Sequence, residues 1–249
     1  MSGHNKWSTI KRKKGALDSK RSKIFSRISK EIFVAVKEAG PDPNYNPRLR
    51  LAINNGKGVN MPKDNITRAI AKGEADGSTM TEVIFEGMAN GGVAIIVECL
   101  TDNNQRTVAN IRSIFNKRGG TLGTKGSCAF VFERKGVVRI NKTTLKVNIE
   151  DLELELIDAG LQDLDQDDDG YTITTALEDF GNMRTFLEKM QIEAENAELQ
   201  WIPTTTKEVT PDIAKSVLKM VEAFEEDDDV QTVYHNLEMT DELAAALDE

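Results

Sequence analysis

Histidine, cysteine and tryptophan occur only twice each in this chain of 249 residues, and tyrosine three times. That scarcity narrows the chemistry. His4 stands in a basic N-terminal segment and His235 in a predicted strand near the far end, so local spacing assembles no Cys/His pair and no Ser/His/Asp set. Catalysis is therefore not expected. Cys99 and Cys128 each lie on an alternating apolar pattern and are expected to be buried, reduced thiols rather than a disulfide or a reactive thiol. No run approaches the roughly eighteen apolar residues of a membrane span. The opening Met1-Ser-Gly-His-Asn-Lys-Trp7 has neither an apolar signal core nor an Arg/Ser-rich transit segment. A soluble, cytoplasmic protein with no membrane contact is the expectation.

Acidic residues are scarce only at the start. Seventeen of the thirty-two Lys and Arg lie in positions 1–72, opposed there by Asp18, Glu31, Glu38, Asp42 and Asp64 alone, a balance of +12. The remaining residues carry fifteen basic and thirty-six acidic side chains, a balance of −21, so the net −9 conceals two regions of opposite sign. A localised positive field is the electrostatic footprint of a polyanion, because each Lys or Arg that meets a phosphate releases a condensed counterion. Nucleic acid is the expected partner.

With 39% hydrophobic residues the chain can bury ordinary cores. Asp18 can cap a long helix running to Ala39, where Gly40 and Pro41 supply a left-handed C′ residue and a stop. At about 100° per residue, Ile24, Phe25, Ile28, Ile32, Val36 and Ala39 fall on one side of it, and Lys20, Lys23, Arg27, Lys30 and Lys37 on the other. Beyond a turn-rich Pro41 to Pro47, two short helices begin with Pro47 and Pro62 at their N1 positions, separated by Gly56-Lys57-Gly58. This predicts a small helical domain preceded by an arm, residues 1 to 17, too poor in apolar side chains to fold alone.

The periodicity then changes. Strands are predicted at Thr81 to Met88 and Val93 to Leu100, joined around Asn90-Gly91-Gly92, then a helix from Asn103 to Lys117 and a strand from Ser127 to Phe132. Residues 136–140, 149–159, 161–165, 170–175, 178–190 and 197–202 spell β-α-β-β-α-β, the ferredoxin-like order. A last helix, Pro211 to Phe224, and a last strand, Val230 to His235, complete the unit before it. The expected architecture is α+β in three domains: residues 1–79, a basic arm and helical domain; 80–133 with 208–249, a discontinuous α+β domain; and 134–207, a ferredoxin-like domain inserted in it.

The densest functional signal is the arm and the helix that follows. The expected nucleic-acid-binding residues are His4, Lys6, Trp7, Lys11, Arg12, Lys13, Lys14, Lys20, Arg21, Lys23, Arg27 and Lys30. An arm of this kind can recruit several phosphates along one backbone, and Trp7 can either stack on an exposed base or pack back onto the helices. Asp165-Gln166-Asp167-Asp168-Asp169-Gly170 matches the first half of a Ca²⁺-binding EF-hand loop, but the twelfth position is Ala176 where a bidentate Glu is needed. An acidic hairpin turn is expected there, and no metal. The acidic run Glu225 to Asp229 reads as a solvated loop. Gly119 to Ser127 resembles a phosphate-cradling loop yet fits neither the Walker A spacing nor Gly-x-Gly-x-x-Gly, so no nucleotide or other cofactor is expected. The acidic two-thirds can solvate the protein, keep nucleic acid to one face, or contact a basic protein partner.

The opening Ser2 to Lys14, with Asp18 to Phe25, Tyr45-Asn-Pro-Arg-Leu-Arg50, Asn60-Met-Pro-Lys-Asp-Asn-Ile66 and Glu86-Gly-Met-Ala-Asn-Gly-Gly-Val93, resembles the YebC/PmpR family of probable transcriptional regulatory proteins. The likeness spans nearly the whole chain. It implies the same three domains. Ser22 stands where Gly is common in that family and Asn5 where Ser is common, and neither change removes a positive charge. For function the resemblance implies a DNA-binding regulator of transcription first, with a ribosome- or RNA-associated translation factor, as described for similar mitochondrial proteins, as the alternative. A basic arm and helix face bind DNA and RNA phosphate alike, and low base specificity is expected.

Overall fold

The computed structural model describes residues 18–240 and Leu243. Helix α1, Asp18–Ala39, ends as expected at Gly40, whose positive φ of 86° suits glycine and whose N–H donates to the Val36 carbonyl. Helix α2, Pro47–Gly58, has Pro47 in its first turn and Asn46 as its cap, the Asn46 side chain accepting from the Leu49 N–H at 2.9 Å. The same buried Asn46 donates through Nδ2 to the carbonyls of Ala35 and Gly40, which ties the turn to the end of α1. Helix α3 is Lys63–Ala75.

Two expectations shift here. Pro62 is the N-cap of α3 rather than its first helical residue, and Gly56 to Gly58 form the last turn of α2 rather than a break between helices. The break falls at Asn60, with φ of 57°, a conformation that Asn tolerates better than most residues. Ile32, Ala35, Val36, Leu49, Ala52, Met61, Ile66 and Ala69 make the core of this helical domain.

The central domain carries a four-stranded sheet in the order β3-β1-β2-β8, built from β1 Thr81–Ala89, β2 Val93–Thr101, β3 Thr121–Leu122 and β8 Val230–His235. Helices α4, Asn104–Lys117, and α7, Pro211–Glu225, pack on one face of it, where Phe115 and Phe224 meet edge to face with ring centroids 4.8 Å apart. Odd positions of β1 and β2 point to those helices, while Ala94 and Ile96 point the other way, to Cys128, Phe132, Tyr234 and Trp201. Both faces are covered. The predicted strand from Ser127 to Phe132 is corrected: Thr121–Leu122 supplies the third strand, and Ala129–Val131 is a 3-10 turn. Cys128 is buried as expected, although in this loop and not on a strand. The reason is a tertiary contact, since the Glu86 carboxylate takes the N–H groups of Gly126 and Cys128 that a strand would offer to a neighbour.

The inserted domain has the sheet order β5-β6-β4-β7, from β4 Phe132–Asn141, β5 Leu161–Gln166, β6 Gly170–Ala176 and β7 Asn196–Pro203. With α5, Glu153–Asp158, and α6, Phe180–Lys189, this is the ferredoxin-like plait that the sequence order predicts. The predicted helix 149–159 is shorter, because Ile149–Leu152 forms a 3-10 turn before α5.

The chain is thus α+β, with seven α-helices and two antiparallel sheets among the described residues. Its domains gather into two compact units. Residues 78–133 and 201–240, with the start of α1, make one; residues 24–77 and 134–200 make the other, so the helical domain and most of the inserted domain share a unit. Within that unit Leu51 packs against the inserted core, and Gly58 lies where a Cβ would collide with the Glu195 carbonyl.

Candidate nucleic-acid interface

The predicted binding residues fall in two groups. His4, Lys6, Trp7, Lys11, Arg12, Lys13 and Lys14 lie outside the described residues. Of the others, Lys20 lies in the first turn of α1, and Arg21 is exposed on the same helix. Lys23 is half-buried and donates to the Glu226 carbonyl at 3.5 Å. Arg27 and Lys30 are half-buried and engaged within the protein.

The basic side chains of α1 from Lys23 to Lys30 are thus partly engaged within the protein. Ile32, Phe33, Val34, Ala35 and Val36 are all buried, so the helix is enclosed on every side over these residues, whereas Lys37, Glu38 and Ala39 beyond them are exposed. Gly73 of α3 permits this by lying directly against Val36 and Phe33. Lys37 stays exposed, donates to the Asp76 carbonyl and, with Lys72, covers the Phe33 ring. Positive charge continues instead on α2 and α3, where Lys57, Lys63, Arg68 and Lys72 are exposed. Residues 18–77 carry twelve basic and seven acidic side chains. Two of those acids, Glu31 and Glu38, are engaged by Arg48 at 3.1 and 2.6 Å.

Arg50, Tyr45 and Arg184 lie outside the predicted binding residues. Arg50 reaches back to donate to the Pro43 carbonyl at 3.2 Å, in the turn that carries the exposed Tyr45. Arg184 of α6 lies over the Phe180 ring at 5.7 Å. Burial, and then the positive charge of Arg50, hold its guanidinium below the usual arginine range, with Glu188 acting in the opposite direction. A signal for Arg50 and Tyr45 was present in the Tyr45 to Arg50 motif; Arg184 gave none, being a lone cation after thirty-seven residues without Lys or Arg.

The other motifs resolve into structure. The Asp165 to Gly170 segment is the turn between β5 and β6, where Asp167 accepts from the N–H groups of Asp169 and Gly170 and pairs with Arg139 at 2.6 Å. The Gly119 to Ser127 loop holds an internal anion, Glu86, at Gly126 (2.7 Å), with Cys128 just beyond at 3.0 Å. In the acidic run, Asp229 is buried against Arg106, Thr101 and Thr107, and is no solvated loop residue. No cluster of His, Cys, Asp and Glu suited to a metal, and no helix long and apolar enough to cross a membrane, occurs among the described residues.

Comparison with known proteins gives the family. A protein from Amoebophilus asiaticus, named a probable transcriptional regulatory protein, is 50% identical over 240 residues, covering 95% of this chain and 98% of that one. One of the same name from Chlorobaculum parvum is 44% identical across all of both chains. The crystal structure of a conserved hypothetical protein from Aquifex aeolicus superposes with a TM-score of 0.79 at 40% identity, over 90% of this chain and 93% of that one. The TACO1/YebC N-terminal domain matches residues 5–76, and the TACO1/YebC second and third domain matches residues 80–237. The chain belongs to the TACO1/YebC family.

Proposed function

We propose that this protein is a DNA-binding regulator of transcription that grips the phosphate backbone with its basic N-terminal arm and the first turns of α1. The observation that carries this reading is the segregation of charge, +12 over residues 1–72 against −21 over the rest. The names of the relatives support it. On this reading the protein binds and does not catalyse, works in the cytoplasm, needs no cofactor, and keeps its acidic domains away from phosphate so that they are available to a basic protein partner.

A second reading is a ribosome- or RNA-associated factor in translation. What favours it is the enclosure of α1 between Ile32 and Val36, which interrupts the free length of this helix that could lie in a major groove. Crosslinking in cells, with bound DNA and bound RNA sequenced in parallel, tests both. Enrichment of promoters is the expected result; enrichment of ribosomal RNA alone would replace the first reading with the second.

A further inference from the structure

We propose that Leu154 and Ile157 of α5, with Leu177 beside them, form a docking face for a positively charged protein segment that carries apolar side chains on one side. This deepens the reading above, in which the acidic domains are left to a basic protein partner, and rests on that part of it. The run Asp151-Leu-Glu-Leu-Glu-Leu-Ile-Asp158 alternates like a strand, yet it folds as a 3-10 turn leading into the short helix α5. At about 100° per residue that spacing divides its apolar side chains between two sides. Leu156 is fully buried and Leu152 packs on the core of the inserted domain, whereas Leu154 is 77% and Ile157 52% exposed. Three positions apart on one helix, those two are neighbours. Leu177, 47% exposed, belongs to the turn between β6 and α6. Gly160 brings that turn to the end of α5, since its N–H donates to the Ile157 carbonyl at 2.9 Å and a Cβ on it would collide with the Asp179 side chain.

The surroundings of this face select the partner. Asp151, Glu153, Glu155, Asp158 and Glu178 are exposed on the same segments, and among the described residues none of them meets a Lys or Arg within ion-pair distance. Residues 147–183 hold twelve acids and neither Lys nor Arg. An isolated exposed leucine is ordinary on any surface. Three bulky apolar side chains on adjoining turns, among carboxylates that nothing neutralises, have the anatomy of a protein interface, where the apolar centre supplies affinity and the charged rim steers and selects. The sign of the rim disfavours the other occupants. It repels the phosphates of nucleic acid and an anionic lipid surface, and a second copy would set like charges against like. A basic segment gains twice, because its apolar side chains leave water and its charges meet unpaired carboxylates.

The test uses the full chain and two synthetic peptides of one lysine-and-leucine composition, the leucines lying on one helical face in the first and dispersed around the helix in the second. The first should bind, with amide NMR shifts concentrated at residues 151–158 and 177–178. Leu154→Gln and Ile157→Gln should each weaken it about tenfold. Glu153→Gln combined with Asp158→Asn should weaken it about fivefold, an effect lost at about 500 mM salt. The dispersed peptide should bind about tenfold more weakly than the first. Glutamine keeps the helix propensity and neither Leu154 nor Ile157 packs in the core, so both glutamine variants should melt with the parent. A lower melting temperature would show a packed structural face and overturn the docking site, as would equal binding of the two peptides or unchanged affinity in both variants. Two rival occupants are read on the same samples. Dimerisation of the parent that Leu154→Gln abolishes would assign the face to a second copy, and shifts at 151–158 on charge reversal of Lys11, Arg12, Lys13 and Lys14 would assign it to the arm of this chain; either overturns the external partner. Nucleic-acid binding should be the same in the parent and both glutamine variants. If the parent binds no nucleic acid yet binds the first peptide at these residues, the DNA-binding reading falls and the docking face stands.

Discussion

The side-chain amide of Asn55 pairs with the main chain of Ala197 as a neighbouring strand would, Nδ2 donating to the Ala197 carbonyl and the Ala197 N–H donating to Oδ1, each at 3.0 Å. β7, which carries Ala197, is an edge strand, and an open edge must be paired or covered. A helical side chain does so here. Gly58, further along α2, lets the backbone follow it against Glu195.

Asn55→Ala should therefore cost about 1–3 kcal/mol, since it strands a buried Ala197 N–H as well as removing two bonds. Asn55→Asp turns a carboxylate oxygen onto the Ala197 carbonyl and should lose a similar amount at neutral pH. Gly58→Ala should cost about 2 kcal/mol or more, because its clash is with backbone and cannot be relieved by a rotamer. Urea midpoints at constant m-value measure all three. Unchanged midpoints would show that the helical and inserted domains do not depend on this contact.

Acid should loosen the β5–β6 hairpin at a defined pH. Partial burial acts to raise the Asp167 pKa, but the hydrogen bond from Arg139, those from the N–H groups of Asp169 and Gly170, and the Arg139 charge together lower it from 3.8 to about 2. A depressed folded-state value gives stability that is complete above the unfolded value near 3.8 and is lost as pH falls toward about 2. With the side chain 28% accessible, the contribution is about 1–2 kcal/mol. Asp167→Asn should lose that amount at pH 7 and flatten the acid limb of a denaturation series run between those values.

The same carboxylate argues against calcium. Asp167 is already engaged with Arg139 and two N–H groups, and position twelve of the motif is Ala176. Calorimetric titration with Ca²⁺ should show no saturable micromolar heat; a stoichiometric signal would mean that the hairpin opens into a binding loop.

Glu86 should control the reactivity of Cys128. Its carboxylate accepts from Gly126 and from Cys128, and burial pushes the Cys128 thiol above its ordinary pKa. Glu86→Gln leaves one of these N–H groups facing an amide NH₂, at a cost of about 1–3 kcal/mol. Labelling by a thiol reagent should be slow in the parent and faster at Cys128 in the variant. Equal rates would place the hold on this loop elsewhere.

Charge reversal at Lys11, Arg12, Lys13 and Lys14 should weaken binding alike for unrelated nucleic-acid sequences, because phosphate contacts position without specifying. If about six phosphates are neutralised, affinity for duplex should fall on the order of 10³-fold between 50 and 200 mM salt. A flat salt response would remove the electrostatic basis of the proposed function.

Much of the fold was legible because it follows from local chemistry. Gly40 after an apolar stripe ends α1, Pro47 starts α2, and Asn90-Gly91-Gly92 sits between β1 and β2 as the hairpin signal requires. The mistaken strand at Ser127 failed for a non-local reason, since a carboxylate forty residues away competes for its N–H groups. The burial of Phe33 was not legible either: a hundred-degree wheel shows which side of α1 is apolar, but it is Lys72 of another helix that, with Lys37, covers the Phe33 ring.

The sequence by itself determined the order of helices and strands, the opposition of a basic start to an acidic remainder, and the family, because each is carried by residues adjacent or periodic along the chain. Tertiary structure alone decided that Asn55 closes the edge of a strand 142 positions away and that the Glu86 carboxylate holds the N–H groups of Gly126 and Cys128. Those relationships are set by packing between segments distant in sequence, and no window along the chain contains both partners.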